Sequence, residues 1–265
     1  MVEPLVLPLS KVENGRDLGA YVGFNGRPIK KHKLLRTAKL SEMPENDINF
    51  LKNYGLKKII DFRTTAECEK QPDTSLTGVE YIHLAIHEEE KLGVPDETKE
   101  KLKKTYIFDQ YAGFKVMCHQ YRKTVRSKHS QAAYHKFFEI LANNEEGAVL
   151  FHCSEGKDRT GFGAYYLLHI LGVDPYVIRN DYLYSNYGLN DYREKVDKLA
   201  LADGANQYIR TNLRSLASVS HEYLDSALIL INNEYGGIDN YIKEYLGVDQ
   251  AMIDHLRELY LEPKI

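Results

Sequence analysis

The chain has 265 residues, of which 43% are hydrophobic and 28% charged, enough to bury a large core in one domain with additions. A formal net charge of −3 and a pI near 6.4 give no global attraction for nucleic acid or for an anionic membrane, so any basic site has to be local. Three cysteines, Cys68, Cys118 and Cys153, show neither the pairing of a disulfide framework nor the spacing of a zinc site.

The first residues, MVEPLVLPLSKVENGRD, lack the basic and apolar regions of a signal peptide. No apolar run approaches the ~20 residues that a bilayer-spanning helix needs. The chain is therefore read as cytoplasmic, with export by a route without a signal left open. Asn25-Gly26 between extended segments predicts a hairpin turn. A helix stopped near Gly55 is followed by a buried strand over 58–62, and Gly78 precedes another over 79–86. The polar stretch 88–144 is too long for a simple crossover; its opening, 87–104, is heavily charged, and two later segments, around 111–125 and 131–143, read as helices. A fourth strand is predicted over 147–152. Beyond Asp174 the pattern is helical, punctuated at Gly188, Gly204, Gly236-Gly237 and Gly247. Strands separated by helical patterns predict an α/β fold, a small parallel or mixed sheet flanked by helices. The expected organisation is a single domain, 1–265, with a helical insertion at about 88–144 and a helical C-terminal part at about 174–262 that acts as a lid.

The chemistry concentrates in VLFHCSEGKDRTGFGAYYLLHILG, 149–172. A buried strand delivers the chain into His152-Cys153, and a helix starts at about Thr160. Ser154, Glu155, Gly156, Lys157 and Asp158 must then turn tightly with amides pointing inward, Gly156 taking the unusual backbone torsion. Free amides and a helix N-terminus together favour a phosphate dianion. The same field favours a thiolate at Cys153, which makes it a nucleophile at neutral pH. Arg159, six positions later, returns over the loop and can grip two phosphoryl oxygens with its planar fork. Cys-x5-Arg alone is a weak signal; His-Cys-x-x-Gly-Lys-Asp-Arg-Thr-Gly between a buried strand and a helix is a strong one.

This loop resembles the signature of the cysteine-dependent protein tyrosine phosphatase superfamily, and HCSEGKDRTG more narrowly resembles bacterial tyrosine and phosphoinositide phosphatases of the protein tyrosine phosphatase B type. NGRDLGAY (14–21), LLRTAKLS (34–41), IIDFRTTAECEKQPD (59–73), NDYLYSN (180–186) and EYLDSALILINNEYGGIDNYIKEYLGV (222–248) are similar to family blocks in the same order. The resemblance implies hydrolysis of a phosphomonoester through a cysteinyl-phosphate, with no metal and no other cofactor. Cys153 would attack phosphorus, and Arg159 would bind the phosphoryl group within the loop Ser154, Glu155, Gly156 and Lys157. Thr160 would stabilise the departing thiolate, and His152 would order the loop by hydrogen bonding. The chain has no tryptophan, so the Trp-Pro-Asp loop of the best-known eukaryotic enzymes is missing. Asp158 is the expected general acid; Asp61 is the alternative, unless it pairs with Arg63.

In this family a lysine at the position of Lys157 goes with phosphoinositide substrates, where it meets a second phosphate; the competing reading is a solvated loop cation. The basic run Arg122, Lys123, Arg126 and Lys128 reads as a solvated helix face rather than an extension of the site. Tyrosines in YVIRNDYLYSNYGLNDY read as core before substrate shelf. Asn14, Gly15 and Asp17 are turn formers that pin the N-terminal segment to the sheet, and Asp181 and Asn186 match family positions without an assignable role. The expected partners are a phosphotyrosine protein or a phosphoinositide as substrate and inorganic phosphate as product, with no nucleic acid. Two rival readings are a phosphate-binding module without turnover and a sulfur-transfer or arsenate-reducing enzyme.

Overall fold

The computed structural model describes residues 3–19, 21–88 and 104–264. Six strands form one sheet: β1 (Leu5–Val6), β2 (Arg16–Asp17), β3 (Leu34–Thr37), β4 (Leu56–Asp61), β5 (Glu80–His83) and β6 (Ala148–His152), in the order β1-β2-β3-β6-β4-β5. β3, β6, β4 and β5 run parallel, while β1 and β2 add an antiparallel edge. The last strand in sequence is therefore central. Its residues Ala-Val-Leu-Phe-His are all buried, as the strand of a parallel sheet covered on both faces should be.

Alternation along the strands sorts the core into two layers. Leu34, Ile60, Val149 and Phe151 face one cluster, Leu35, Ile59, Ala148 and Leu150 the other. The first layer is covered by α3 (Ala112–Arg126), α4 (Lys128–Ala142), α5 (Arg159–Ile170), α9 (His221–Tyr235) and α10 (Gln250–Tyr260), through residues such as Met117, Phe137, Leu167, Leu230 and Leu256. The second is closed by Leu51 of α1 (Glu45–Asn53) together with Leu7 and Val12. Register aligns Thr37, His152 and Asp61 as neighbours at the C-terminal edge of the parallel strands. In open α/β sheets this edge is where ligands bind.

Predicted and observed strands agree closely at 58–62 and 147–152. β5 is shorter than the extended run predicted over 79–86, yet Leu84 and Ile86 still donate to the carbonyls of Asp61 and Phe62 at 2.8 and 3.2 Å. The Asn25-Gly26 turn forms with Asn25 at φ 57°, but it closes on a single bridge, Val22 to Pro28, instead of a two-stranded hairpin. The reason lies at the other end of the chain. Ile29 bridges Leu261, Lys30 donates to the Tyr260 carbonyl and Glu262 to that of Pro28, so the C-terminal tail takes the place of a hairpin partner.

The charged opening of the predicted insertion lies largely outside the described residues. After α5 the chain is helical: α6 (Pro175–Gly188), α7 (Asn190–Ala202), α8 (Gln207–Ala217), α9, a short turn with a π-helical stretch at Tyr241–Tyr245, and α10. Gly236 ends α9 in the left-handed conformation at φ 72°. Among the described residues no helix is long and apolar enough to cross a membrane.

Phe62 joins the end of β4 to the helical layer: fully buried, it meets Phe137 edge-on at 5.2 Å between centroids and Phe151 at 6.0 Å. Phe62→Ala is expected to lower stability by about 3–5 kcal/mol in urea unfolding; a loss under about 1 kcal/mol would show that this junction tolerates a cavity.

Candidate active site

The loop that follows β6 is shaped from below. Asn14 Nδ2 donates to the carbonyls of Glu155 (3.0 Å) and Gly156 (3.1 Å), Arg36 Nη2 to that of Gly156 (2.8 Å), and the Lys39 amide to that of Ser154 (3.0 Å). In a planar trans peptide the N–H points opposite to the C=O. Tying the carbonyls of 154, 155 and 156 into the protein therefore turns the amides of Glu155, Gly156 and Lys157 to the other side, as an anion cradle needs. Gly156 sits at φ +65°, and a Cβ there would lie 2.0 Å from the Thr37 carbonyl oxygen. Glycine is required both by torsion and by space.

The donors beneath the loop belong to a buried cluster. Arg16 Nε and Arg36 Nη1 bind the two carboxylate oxygens of Asp181 at 2.8 and 2.6 Å. Arg16 also holds the Asn14 side chain at 2.7 Å and Ser185 Oγ at 3.2 Å, and Tyr21 donates to Asp181 at 3.2 Å. Burial, offset by the two guanidiniums, leaves the Asp181 carboxyl below the usual range. The sequence blocks that carry these residues are conspicuous, but their roles were not legible there. Asp17 pins the N-terminal segment as expected, accepting from the amides of Gly19 and His32 and from Tyr54.

Cys153 is buried, with 2% of its surface exposed. Arg159, the first residue of α5, points its fork at Glu67: Nη1 is 2.5 Å from Oε2 and Nη2 2.7 Å from Oε1. Ser154 Oγ completes the arrangement, donating to Glu67 (2.5 Å) and accepting from Arg159 Nη2 (3.2 Å). Glu67 is fixed by its own helix, α2 (Thr65–Lys70), where it forms a capping box with Thr64. Burial opposes its ionisation, but Arg159 outweighs burial and holds the carboxyl well below its usual range. Sequence reasoning missed Glu67; a capping pattern gives no hint that its carboxylate faces an arginine 92 residues away.

Asp158 accepts from Tyr121 Oη at 2.7 Å and from Lys157 Nζ at 2.7 Å, and the Tyr121 and Tyr182 hydroxyls are 2.9 Å apart. Lys157 is 3% exposed, so the solvated-cation reading fails: it is a buried partner of its neighbour. Burial, with Asp158 next, pushes the Tyr121 phenol far up, keeping it a donor. His87 is pushed down to about 4 by burial and by Arg159, and stays neutral 3.0 Å from Thr124 Oγ1. Neither Tyr121 nor His87 was singled out from the sequence. Thr160 Oγ1 is buried with no hydrogen-bond partner, so the expected bond to the Cys153 sulfur is not made in this state.

Asp61 lies in a second, separate network. It is fully buried and accepts from Arg63 Nε and Nη2 (2.9 and 2.6 Å), Tyr81 Oη (2.7 Å) and Cys68 Sγ (3.3 Å). Arg63 also meets Asp73 at 2.9 Å, and His152 Nε2 is 2.9 Å from the other Asp73 oxygen while its Nδ1 lies 3.1 Å from the Cys153 carbonyl. Burial disfavours charge on both Asp61 and His152. His152 and Arg63 nonetheless hold the Asp61 carboxyl far below its usual range, and Asp73 raises the imidazole. Asp61, Asp73 and His152 place ligand atoms within 4.8 Å of one another. Arg63 already pairs with both carboxylates, so with His152 protonated the cluster is charge-balanced without a metal ion.

Of the tyrosine-rich segment, Tyr182 alone reaches the Asp158 network, while Tyr176 and Tyr187 are 65% and 79% exposed. Tyr192 of α7 is raised to about 12 by burial and by Glu155. Asn186 staples α6 to Val219 through both backbone groups. In the basic run, Arg126 pairs with Glu234 and Lys128 stands 5.4 Å over the Tyr245 ring.

Residues 7–262 match the model of the tyrosine phosphatase family. The chain belongs to that family. The phosphatase is 29% identical over 255 residues to a Cupriavidus necator protein named for tyrosine-protein phosphatase activity, covering 93% of this chain and 86% of that one. It is 26% identical over 258 residues to the triple specificity protein phosphatase PtpB of Mycobacterium tuberculosis, with 88% and 92% covered. A tyrosine-protein phosphatase of Nostoc commune is 28% identical over 238 residues, covering 86% and 74%. The phosphatase is thus a phosphoric monoester hydrolase on a mixed α/β scaffold.

Because the Asp61 carboxyl is held below its unfolded value, its pairing stabilises the phosphatase above that value, about 3.9, and is lost as pH falls through the folded one. Asp61→Asn is expected to cost about 3–5 kcal/mol at pH 7, the gap to wild type narrowing below about pH 4. Urea unfolding of both proteins across that range is the check; a pH-independent gap would rule out this ionic origin.

Proposed function

We propose that the protein hydrolyses phosphomonoesters, phosphotyrosine first among them, through a covalent cysteinyl-phosphate and without a metal ion. The observation that carries this reading is the cradle of three inward amides with Cys153 at one end and the Arg159 guanidinium, clamped by Glu67, at the other. Glu67 takes the end of the fork and leaves the Nε–H edge for phosphoryl oxygens. The thiolate attacks phosphorus, an S–P bond forms, and the P–O bond to the leaving group breaks. Asp158 supplies the proton that the leaving oxygen takes up, then accepts one from the water that cleaves the thiophosphate. For the first of these steps an incoming phosphate has to draw Lys157 off Asp158 Oδ2, which gives Lys157 a role in answering the charge of the substrate. Thr160, whose buried hydroxyl has no hydrogen-bond partner, stabilises the sulfur as the S–P bond breaks. His152, ion-paired with Asp73 on one side and hydrogen-bonded to the Cys153 carbonyl on the other, orders the entrance to the loop.

Asp61 has no part in proton transfer, since Arg63 and His152 keep it ionised. The name of the Mycobacterium tuberculosis relative, a triple specificity protein phosphatase, supports a site open to more than one class of phosphomonoester; the extension to phosphoinositides rests on Lys157 alone. The helical C-terminal part, from which Tyr182 meets Tyr121 beside Asp158, is the element proposed to shield the thiol from bulk water. A module that only bound phosphate would need the cradle but not a cysteine nucleophile.

Steady-state hydrolysis of an aryl phosphate, a phosphotyrosine peptide and a panel of phosphoinositides, all in EDTA, tests the reading. Cys153→Ser is expected to abolish turnover of each, and chelation to leave the wild type unaffected; phosphate binding with no wild-type turnover would replace the enzyme by a recognition module. Asp158→Asn is expected to slow substrates with poor leaving groups by about 10²–10⁴-fold and to spare those with good ones. An equal loss across leaving groups would remove Asp158 as the acid.

A further inference from the structure

The cluster beneath the loop does not balance its charge. Arg16 and Arg36 carry two positive charges against the single carboxylate of Asp181, and all three side chains are buried, with side-chain exposures of 0, 0 and 1%. The neighbouring hydrogen-bond partners, Asn14, Ser185 and Tyr21, are neutral. Arg16 is saturated: its three nitrogens reach Asp181, Asn14 and Ser185. Arg36 is not. One of its nitrogens meets Asp181, another the Gly156 carbonyl, and its Nε is buried with no acceptor. A surplus positive charge buried in such a cluster is costly unless a further anion lies close by.

The group that can supply that anion is the nucleophile. β3 pairs with β6 so that Arg36 lies beside Phe151, two residues before Cys153. Burial and then Arg16 depress the Arg36 guanidinium to about 10, while Asp181 and Cys153 work to restore its proton. Arg159 from α5 and Tyr134 from α4 also feel the charge of the sulfur, and Tyr134 stays neutral because burial pushes its phenol far up. His152, adjoining in the chain, is already engaged by Asp73.

We propose that the Arg16–Asp181–Arg36 triad is the electrostatic floor of the site: its surplus positive charge, carried on Arg36, is neutralised by the Cys153 thiolate. Arg36 is then a positioning residue that touches no substrate and sets the charge state of the nucleophile from behind the loop. The idea rests on the reading of Cys153 as the nucleophile. It gives the NGRDLG, LLRT and NDYLYSN blocks one common purpose, since Asn14, Arg16, Arg36 and Asp181 come from all three. It also accounts for the choice of residue to remove in a test. Deleting Asp181 would bury two unpaired guanidiniums, whereas deleting Arg36 leaves the neutral pair Arg16–Asp181 and a Gly156 carbonyl still bound by Asn14.

The experiment is the pH dependence of iodoacetamide alkylation at Cys153, followed by mass spectrometry in wild type, Arg36→Met, Arg36→Lys and Cys153→Ser. Burial raises the Cys68 thiol to about 11 and also raises that of Cys118, so alkylation between pH 5 and 8 reads Cys153. Arg36→Met is expected to move the midpoint upward by about one unit or more, about tenfold less alkylation at the acid end. Arg36→Lys, which keeps the charge and loses the fork, is expected to restore most of the wild-type curve. An Arg36→Met curve superimposed on the wild type overturns the proposal. If Arg36→Met does not fold, by circular dichroism, the decision passes to the polar, uncharged Arg36→Gln, where a midpoint displaced upward by about a unit or more upholds the proposal and a wild-type midpoint overturns it. Failure of the underlying reading looks different: wild-type Cys153 would then resist alkylation throughout the range.

Discussion

A cradle made of backbone amides turns as many carbonyls into the protein as it offers amides to an anion, and those carbonyls must find donors or the loop cannot hold its shape. In this protein the donors are Asn14, Arg36 and the Lys39 amide, none of them near the loop in sequence. Each is brought there by the sheet. β2 aligns Arg16 with Arg36 on β3, and β3 in turn aligns Arg36 with Phe151 on β6. One ladder of backbone hydrogen bonds thus fixes both arginines under the loop. Gly156 permits the contact, since any side chain there would strike the Thr37 carbonyl at the end of the same strand.

Two buried ionic networks flank this loop, and they differ in kind. On one side Asp61 and Asp73 face Arg63 and His152, two negative groups against two positive ones when the imidazole is charged. A balanced network of this sort holds β4, β6 and the chain after α2 in register. The Arg16–Asp181–Arg36 cluster has no such balance within itself. Both are buried and both contain arginine and aspartate, but only the second leaves a guanidinium nitrogen, Arg36 Nε, without an acceptor.

The parts of the site that are contiguous in sequence could be read from it. Cys153, Gly156, Arg159 and the start of α5 follow one another, so strand, turn and helix signals fixed their relation. The apolar runs that became β4 and β6 announced themselves by their lack of alternation. Glu67, Tyr121 and Asn14 could not be found in this way: they stand 92, 37 and 141 residues from the partners they hold, and no local pattern encodes such an approach. Lys157 shows the same limit in reverse, since its place in the chain suggested a cation reaching outward, whereas the fold buries it against Asp158. The Asn25-Gly26 turn formed, but its partner turned out to be the last strand-like residues of the chain, which a local hairpin signal cannot anticipate.

The central position of β6 has a consequence for how the molecule comes into being. Leu34 pairs with Val149 and Ile60 with Phe151, so β3 and β4 have no common neighbour until residue 152 exists. During synthesis more than half of the chain leaves the ribosome as two sheet fragments, each with an open inner edge of apolar residues. Such edges invite pairing with other chains. The segment that carries the chemistry is also the wedge that joins the halves: the nascent protein closes its core and builds its anion cradle in the same event.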